Sequence, residues 1–197
     1  MAIIGAFAVP HPPIILPEVG RGEERKIQRT INAYKEAARR IADMDPDTIV
    51  VTSPHSVLYS DYFHISPGRV ARGDLRRFGA PSASVETEYD SEFAVKLADG
   101  AKAEGIAAGL LGEREKELDH GTLIPLRFLA PYNLKYKLVR IGLSGLPFIE
   151  HYKLGKLIAK TSDLLPRRTV FIASGDLSHR LTEDGPYGYA EEGPEFD

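Results

Sequence analysis

Phe7-Ala8-Val9-Pro10-His11-Pro12-Pro13 is an apolar run that stops on a histidine held between prolines. Residues 3–9 are small, β-branched or aromatic and carry no charge, the composition of a short buried strand. The prolines end that strand, because each lacks a backbone donor and fixes its own φ. His11 is therefore presented on a stiffened turn at a strand's C-terminal end, the edge at which open α/β sheets bind ligands. The device returns at Thr48-Ile49-Val50-Val51-Thr52, which runs through Ser53-Pro54 into His55.

Between and beyond these two strands, helical and strand patterns alternate. Ile27, Ile31, Tyr34, Ala38 and Ile41 recur at spacings of three and four and predict an amphipathic helix over residues 23–43. Residues 62–66 predict a short strand containing His64, residues 69–77 a polar loop with four arginines, and residues 82–89 an edge strand. Phe93, Leu97 and Ala101 mark a helix ending near Gly105. A further short strand is expected over 106–111, and the charged run Glu113-Arg114-Glu115-Lys116-Glu117 reads as a solvated turn. Leu118-Asp119-His120-Gly121-Thr122 opens a segment that is apolar on many sides, predicting a buried helix with Asp119 and His120 in its first turn and Pro125 early in it. A core strand at 138–143, a helix carrying Leu154, Leu157 and Ile158, and a strand at 169–173 complete the pattern; residues 181–197 show no periodic element. This alternation predicts a three-layer α/β/α sandwich around a mostly parallel or mixed central sheet.

At 197 residues the chain can bury one sizeable core, and one domain is the simplest expectation. A formal charge of −3, with basic residues scattered among acidic ones, argues against a nucleic-acid partner. Cysteine is absent, so any transition metal must be held by nitrogen and oxygen. No basic region precedes the first apolar run and prolines cut it short, so neither a signal peptide nor a membrane span is expected; a soluble cytoplasmic protein is.

Three of the six histidines, His11, His55 and His179, follow predicted core strands, and His120 starts the buried helix. In a sheet of this class those ends converge on one crevice. His64 and His151 read as structural, one within a short strand and the other on a helix surface. Neutral imidazoles without thiolates suit Fe, Zn, Cu or Ni. The spacing alone leaves a non-haem Fe(II) site and a zinc hydrolase with a bound water both open.

Four motifs carry a resemblance: Ala8-Val9-Pro10-His11-Pro12-Pro13, Ser53-Pro54-His55-Ser56, Leu118-Asp119-His120-Gly121-Thr122 and Ser174-Gly175-Asp176-Leu177-Ser178-His179. In this order and at these separations the chain resembles the LigB family, the catalytic subunits of class III extradiol ring-cleavage dioxygenases of the protocatechuate 4,5-dioxygenase type, and its AmmeMemoRadiSam-associated relatives. The resemblance implies an Fe(II) enzyme that opens a catechol-like aromatic diol with dioxygen. His11 and His55 match the family's two histidine ligands, His179 its acid/base histidine, and His120 a histidine that lines the pocket and positions substrate or oxygen. The family's third ligand is a glutamate well downstream of the Ser-His segment, so it is not carried over to Glu191, Glu192 or Glu195. The expectation is a domain truncated at its C-terminal end, with a homo-oligomer or a further C-terminal domain in the natural protein. Two rivals accompany it: a Memo-like metal-binding or scaffold protein and a Zn-dependent hydrolase.

Overall fold

The computed structural model describes residues 3–196. Its centre is a four-stranded sheet of β1 (Ile3–Val9), β2 (Thr48–Ser53), β7 (Lys137–Gly142) and β8 (Thr169–Ser174), in the order β1-β8-β2-β7, with every pairing parallel. Parallel neighbours need crossovers. The short helix α1 (Pro17–Gly20) and helix α2 (Gln28–Asp43) supply one between β1 and β2, and α5 (Phe148–Leu164) supplies another between β7 and β8. Residues alternate between the sheet's two faces, so Ile49, Val51 and Val170 enter one core while Val50, Val139 and Ile141 enter the other. The first core is closed by α2 and α4 (His120–Leu129), the second by α3 (Ser91–Glu104) and α5. The result is the three-layer α/β/α arrangement expected. Among the described residues no helix is long and apolar enough to cross a membrane.

Several sequence expectations require correction. Residues 69–77 are not a loop: β4 (Val70–Leu75) pairs antiparallel with β5 (Ala80–Glu88) in a sheet of their own. Only one face of this hairpin is covered, by Ala71, Leu75, Ala80 and Ala83, and its outward arginines make the sequence look like a loop. β5 is an edge strand as expected, in this two-stranded sheet. The helix expected over 23–43 begins as a 3-10 turn, Glu23–Ile27, and becomes α-helical only at Gln28. The strands expected at 62–66 and 106–111 shrink to a two-residue parallel pair, β3 (Phe63–His64) and β6 (Ala108–Gly109). The tail carries one short helix, Glu192–Phe196, and a bridge between Leu181 and Tyr189; Asp197 lies outside the described residues.

Candidate metal centre

The register makes the C-terminal ends of the strands flush. Val9 stands opposite Ser174, Thr52 opposite Ala173, and Ser53 opposite Gly142. His11 and His55 are each the second residue beyond their strands, and the residue equivalent to them after β8 is Asp176, not His179. Helix α4 enters the same crevice with His120 as its first residue.

The His11 side chain is fully buried. Its Nδ1 lies 2.9 Å from Ser174 Oγ, and that hydroxyl donates to the carbonyl of Gly121 at 2.5 Å. Its Nε2 is buried without a hydrogen-bond partner, the nearest carboxylate oxygen being Asp176 Oδ1 at 3.7 Å. Burial lowers the His11 pKa, against the opposing pull of Asp176, which favours a neutral ring.

The rings of His55 and His120 stand beside that of His11. Ring centroids lie 4.8 Å apart for His11 and His55, 5.3 Å for His11 and His120, and 4.1 Å for His55 and His120. One ring nitrogen from each falls within 4.8 Å of the others. Burial, with His55 and His11 beside it, pushes His120 down to about 4, so its imidazole is neutral near pH 7. Asp119 is committed elsewhere. It caps α4 by accepting from Thr122 N at 3.0 Å and Thr122 Oγ1 at 2.9 Å, and it accepts from Ser53 Oγ at 2.6 Å. Ser53 Oγ in turn accepts from the backbone N–H of His55 at 3.1 Å, which ties the second histidine's turn to the cap of the third histidine's helix. These contacts require a glycine at 121. A Cβ there would sit 3.1 Å from His11 Nδ1 and closer still to Ser53 Oγ.

Three imidazoles, one with a buried unpartnered nitrogen, are a donor set that fits a divalent transition metal. His179 stands outside this group. Its Nε2 lies 3.3 Å from Asp176 Oδ2, and its ring meets Tyr187 edge-on at 4.9 Å. Asp176 thus faces His11 through one oxygen and His179 through the other. Glu191, Glu192 and Glu195 do not join the cluster among the described residues.

A cavity of about 510 Å³ opens on His55 and His120. Phe78, at the tip of the hairpin, stands edge-on to His120 at 5.2 Å, and the stretch 114–118 forms the opposite wall. Residues 114–117 of it are solvent-facing as expected, yet the stretch is fastened from beneath. Arg140 of β7, fully buried, donates to Glu117 O at 2.8 Å, Glu115 O at 2.7 Å and Ser66 Oγ at 2.7 Å, with Glu113 Oε1 at 3.4 Å. His64, also buried, bonds Leu111 O through Nδ1 at 3.0 Å, a structural use. His151 lies against the Phe63 ring at 4.6 Å on α5.

Sequence reasoning missed Asp176, Ser174 and Arg140. The first two lie inside a quoted motif, but their roles follow from the register of β8 against its neighbours, which no local signal carries. Arg140, a lone charge inside an apolar strand, announces a buried partner for its guanidinium.

Comparison with known proteins shows the family of the chain. Residues 5–197 match the family described as the catalytic LigB subunit of aromatic ring-opening dioxygenase. The protein CA_C1420 of Clostridium acetobutylicum is 40% identical over 204 residues, covering 100% of this chain and 44% of its own length. The 3,4-dihydroxyphenylacetate 2,3-dioxygenase of Escherichia coli is 28% identical across 88% of this chain and 64% of its own. The 2-aminophenol 1,6-dioxygenase beta subunit of a Pseudomonas species is 27% identical across 90% of this chain and 63% of its own. The chain therefore spans less than two thirds of the length of each of these relatives. With the match running across almost all of its residues, the chain belongs to the LigB family.

Proposed function

We propose that the chain is the catalytic part of a non-haem Fe(II)-dependent extradiol ring-cleavage dioxygenase acting on a catechol-like aromatic diol with dioxygen. The observation that carries this reading is a buried His11 with an unpartnered Nε2 clustered with His55 and His120, the last two lining a cavity large enough for an aromatic ring. His11 and His55 are the metal ligands in this proposal. Fe(II), when bound, supplies a centre at which a diol and dioxygen can meet with open positions.

The chain's own residues do the rest. His120 and Phe78, edge to face, line the place where the ring lies and hold its orientation. His179 acts as acid/base: Asp176 facing its Nε2 favours a proton on that nitrogen and leaves Nδ1 as the base for a diol proton, which the same ring later returns. The buried sheet end beneath His11 keeps bulk water from that side of the centre.

Protein purified without air, loaded with Fe(II) and given simple catechols, 3,4-dihydroxyphenylacetate and 2-aminophenol under oxygen should form a ring-opened chromophore. His179→Gln should keep its iron and lose about 10²–10⁴-fold in turnover. A variant that turns over a diol at the parent rate removes His179 from the mechanism. Three imidazoles are also a set that zinc accepts. Zinc with hydrolysis in the same screen would assign water activation instead, and neither metal nor turnover would leave a Memo-like binding role.

A further inference from the structure

Pro125 stands inside α4, where a proline removes one backbone donor. The carbonyl deprived of it is that of the residue four places earlier, Gly121. A buried carbonyl needs a donor. Here the donor is the hydroxyl of Ser174, at 2.5 Å, reaching across from the last residue of β8. A serine hydroxyl has one hydrogen, and a carbonyl can only accept. With that hydrogen spent on Gly121, Ser174 must accept at its other contact, His11 Nδ1 at 2.9 Å. The imidazole proton therefore sits on Nδ1, and the lone pair sits on Nε2, the nitrogen that has no hydrogen-bond partner in the protein. The opposite tautomer would set two acceptors against each other at Ser174 and offer its proton to Asp176 over 3.7 Å, too long for a hydrogen bond. The absence of a side chain at Gly121 lets the relay close, since a Cβ there would crowd His11 Nδ1 at 3.1 Å.

We infer that Ser174 is a positioning residue which, with the Gly121 carbonyl released by Pro125, locks His11 as its Nδ1–H tautomer and aims Nε2 at the metal. This rests on the metal reading given above and deepens it. A hydrogen bond to the remote nitrogen of a ligating histidine fixes ring orientation and raises ligand basicity, and its loss typically costs about 10–100-fold in metal affinity. The relay joins two elements far apart in the chain, α4 and β8, under a histidine delivered by β1.

The test uses the whole chain. In the metal-free protein labelled with ¹⁵N-histidine, long-range ¹H–¹⁵N spectra, assigned through loss of the His11 signals in His11→Ala, should show His11 protonated on Nδ1. Chelator competition with Zn²⁺, and with Fe²⁺ without air, should show Ser174→Ala weakened about 10–100-fold. Ser174→Thr, which keeps the hydroxyl, should recover most of that loss. Pro125→Ala changes no side chain of the site but returns an N–H to compete for Gly121 O, so it should weaken binding in the same direction by a smaller factor. Circular dichroism and thermal melting confirm that each variant is folded; should Ser174→Ala fail to fold, the parent's spectrum and Pro125→Ala decide. An Nε2–H ring in the parent, or parental affinity in a folded Ser174→Ala, overturns the relay. Parental affinity in His11→Ala overturns the metal reading instead, so the two failures are distinguishable.

Discussion

His11 and His55 leave the sheet by the same device, an apolar strand followed by a proline and a histidine, and arrive in opposite surroundings. His11 follows β1, an edge strand, and is fully buried; His55 follows β2, an inner strand, and is exposed. The His11 ring is held through Nδ1 by Ser174, whereas His55 is held through its backbone, its N–H donating to Ser53 Oγ. The difference comes from what lies over each turn. The exit of β8 and the first turn of α4 cover His11, while His55 opens onto the cavity. A local motif sets where a side chain begins; partners distant in sequence set whether it is rigid or open.

The sharpest way to break this contrast is to remove each ring. In the proposed metal site the two are equal ligands, so His11→Ala and His55→Ala should each lower metal affinity by more than about a hundredfold, beyond the effect of an outer hydrogen bond. Without metal they should part company. His11→Ala opens a buried space and leaves Ser174 with an unmet acceptor, costing about 1–3 kcal/mol of stability. His55→Ala, at an exposed site, should stay within about 0.5 kcal/mol. Chelator competition and metal-free thermal melting read the two halves, and equal melting losses would erase the distinction.

A second probe presses on the shared floor. Gly121→Ala places a methyl against both His11 Nδ1 and Ser53 Oγ. Overpacking of this kind should cost about 1–3 kcal/mol. The disturbance should appear in the NMR signals of His11 before those of the His55 ring, because only the first uses its ring to bond the floor.

The smallest effect is a pH dependence. An unfolded histidine protonates near 6.5, and folded His120 only near about 4. Between those values the unfolded state binds more protons, so metal-free stability should fall as the pH drops through that window and not change on this account above it. Since His120 is partly exposed, the loss should be about 1 kcal/mol. His120→Asn should flatten the acid limb of a melting-temperature profile, and a profile unchanged by the substitution would mean that burial does not set the protonation of this ring.

The sequence made the central layers legible because parallel strands buried on both faces are nearly all apolar, and Ile49-Val50-Val51 has no competing interpretation. The hairpin β4/β5 was hidden for the converse reason, since a strand with one wet face can carry charged residues such as Arg72 and Asp74 among its apolar ones. In the site, His11, His55 and His120 stood out as histidines at the ends of elements. Asp176 did not, because its meaning lies in register: nothing local says that β8 sits between β1 and β2 and ends level with them. Ser174 and Pro125 were equally silent, each being ordinary until the hydroxyl of one is seen to answer the amide missing from the other.

Arg140 has a consequence for how such a protein can diversify. Two of its bonds across to the cavity wall end on main-chain carbonyls, those of Glu115 and Glu117, which any residue would offer. The wall's path is thus held at its main chain, by a guanidinium rooted in β7 and by the N–H of Leu118 donating to Arg72 O at 2.8 Å, with little dependence on which side chains occupy 114–117. Those positions can exchange charge and size while the backbone stays where it is, so this scaffold can acquire new substrate preferences by changes at its rim that leave the histidines beneath undisturbed.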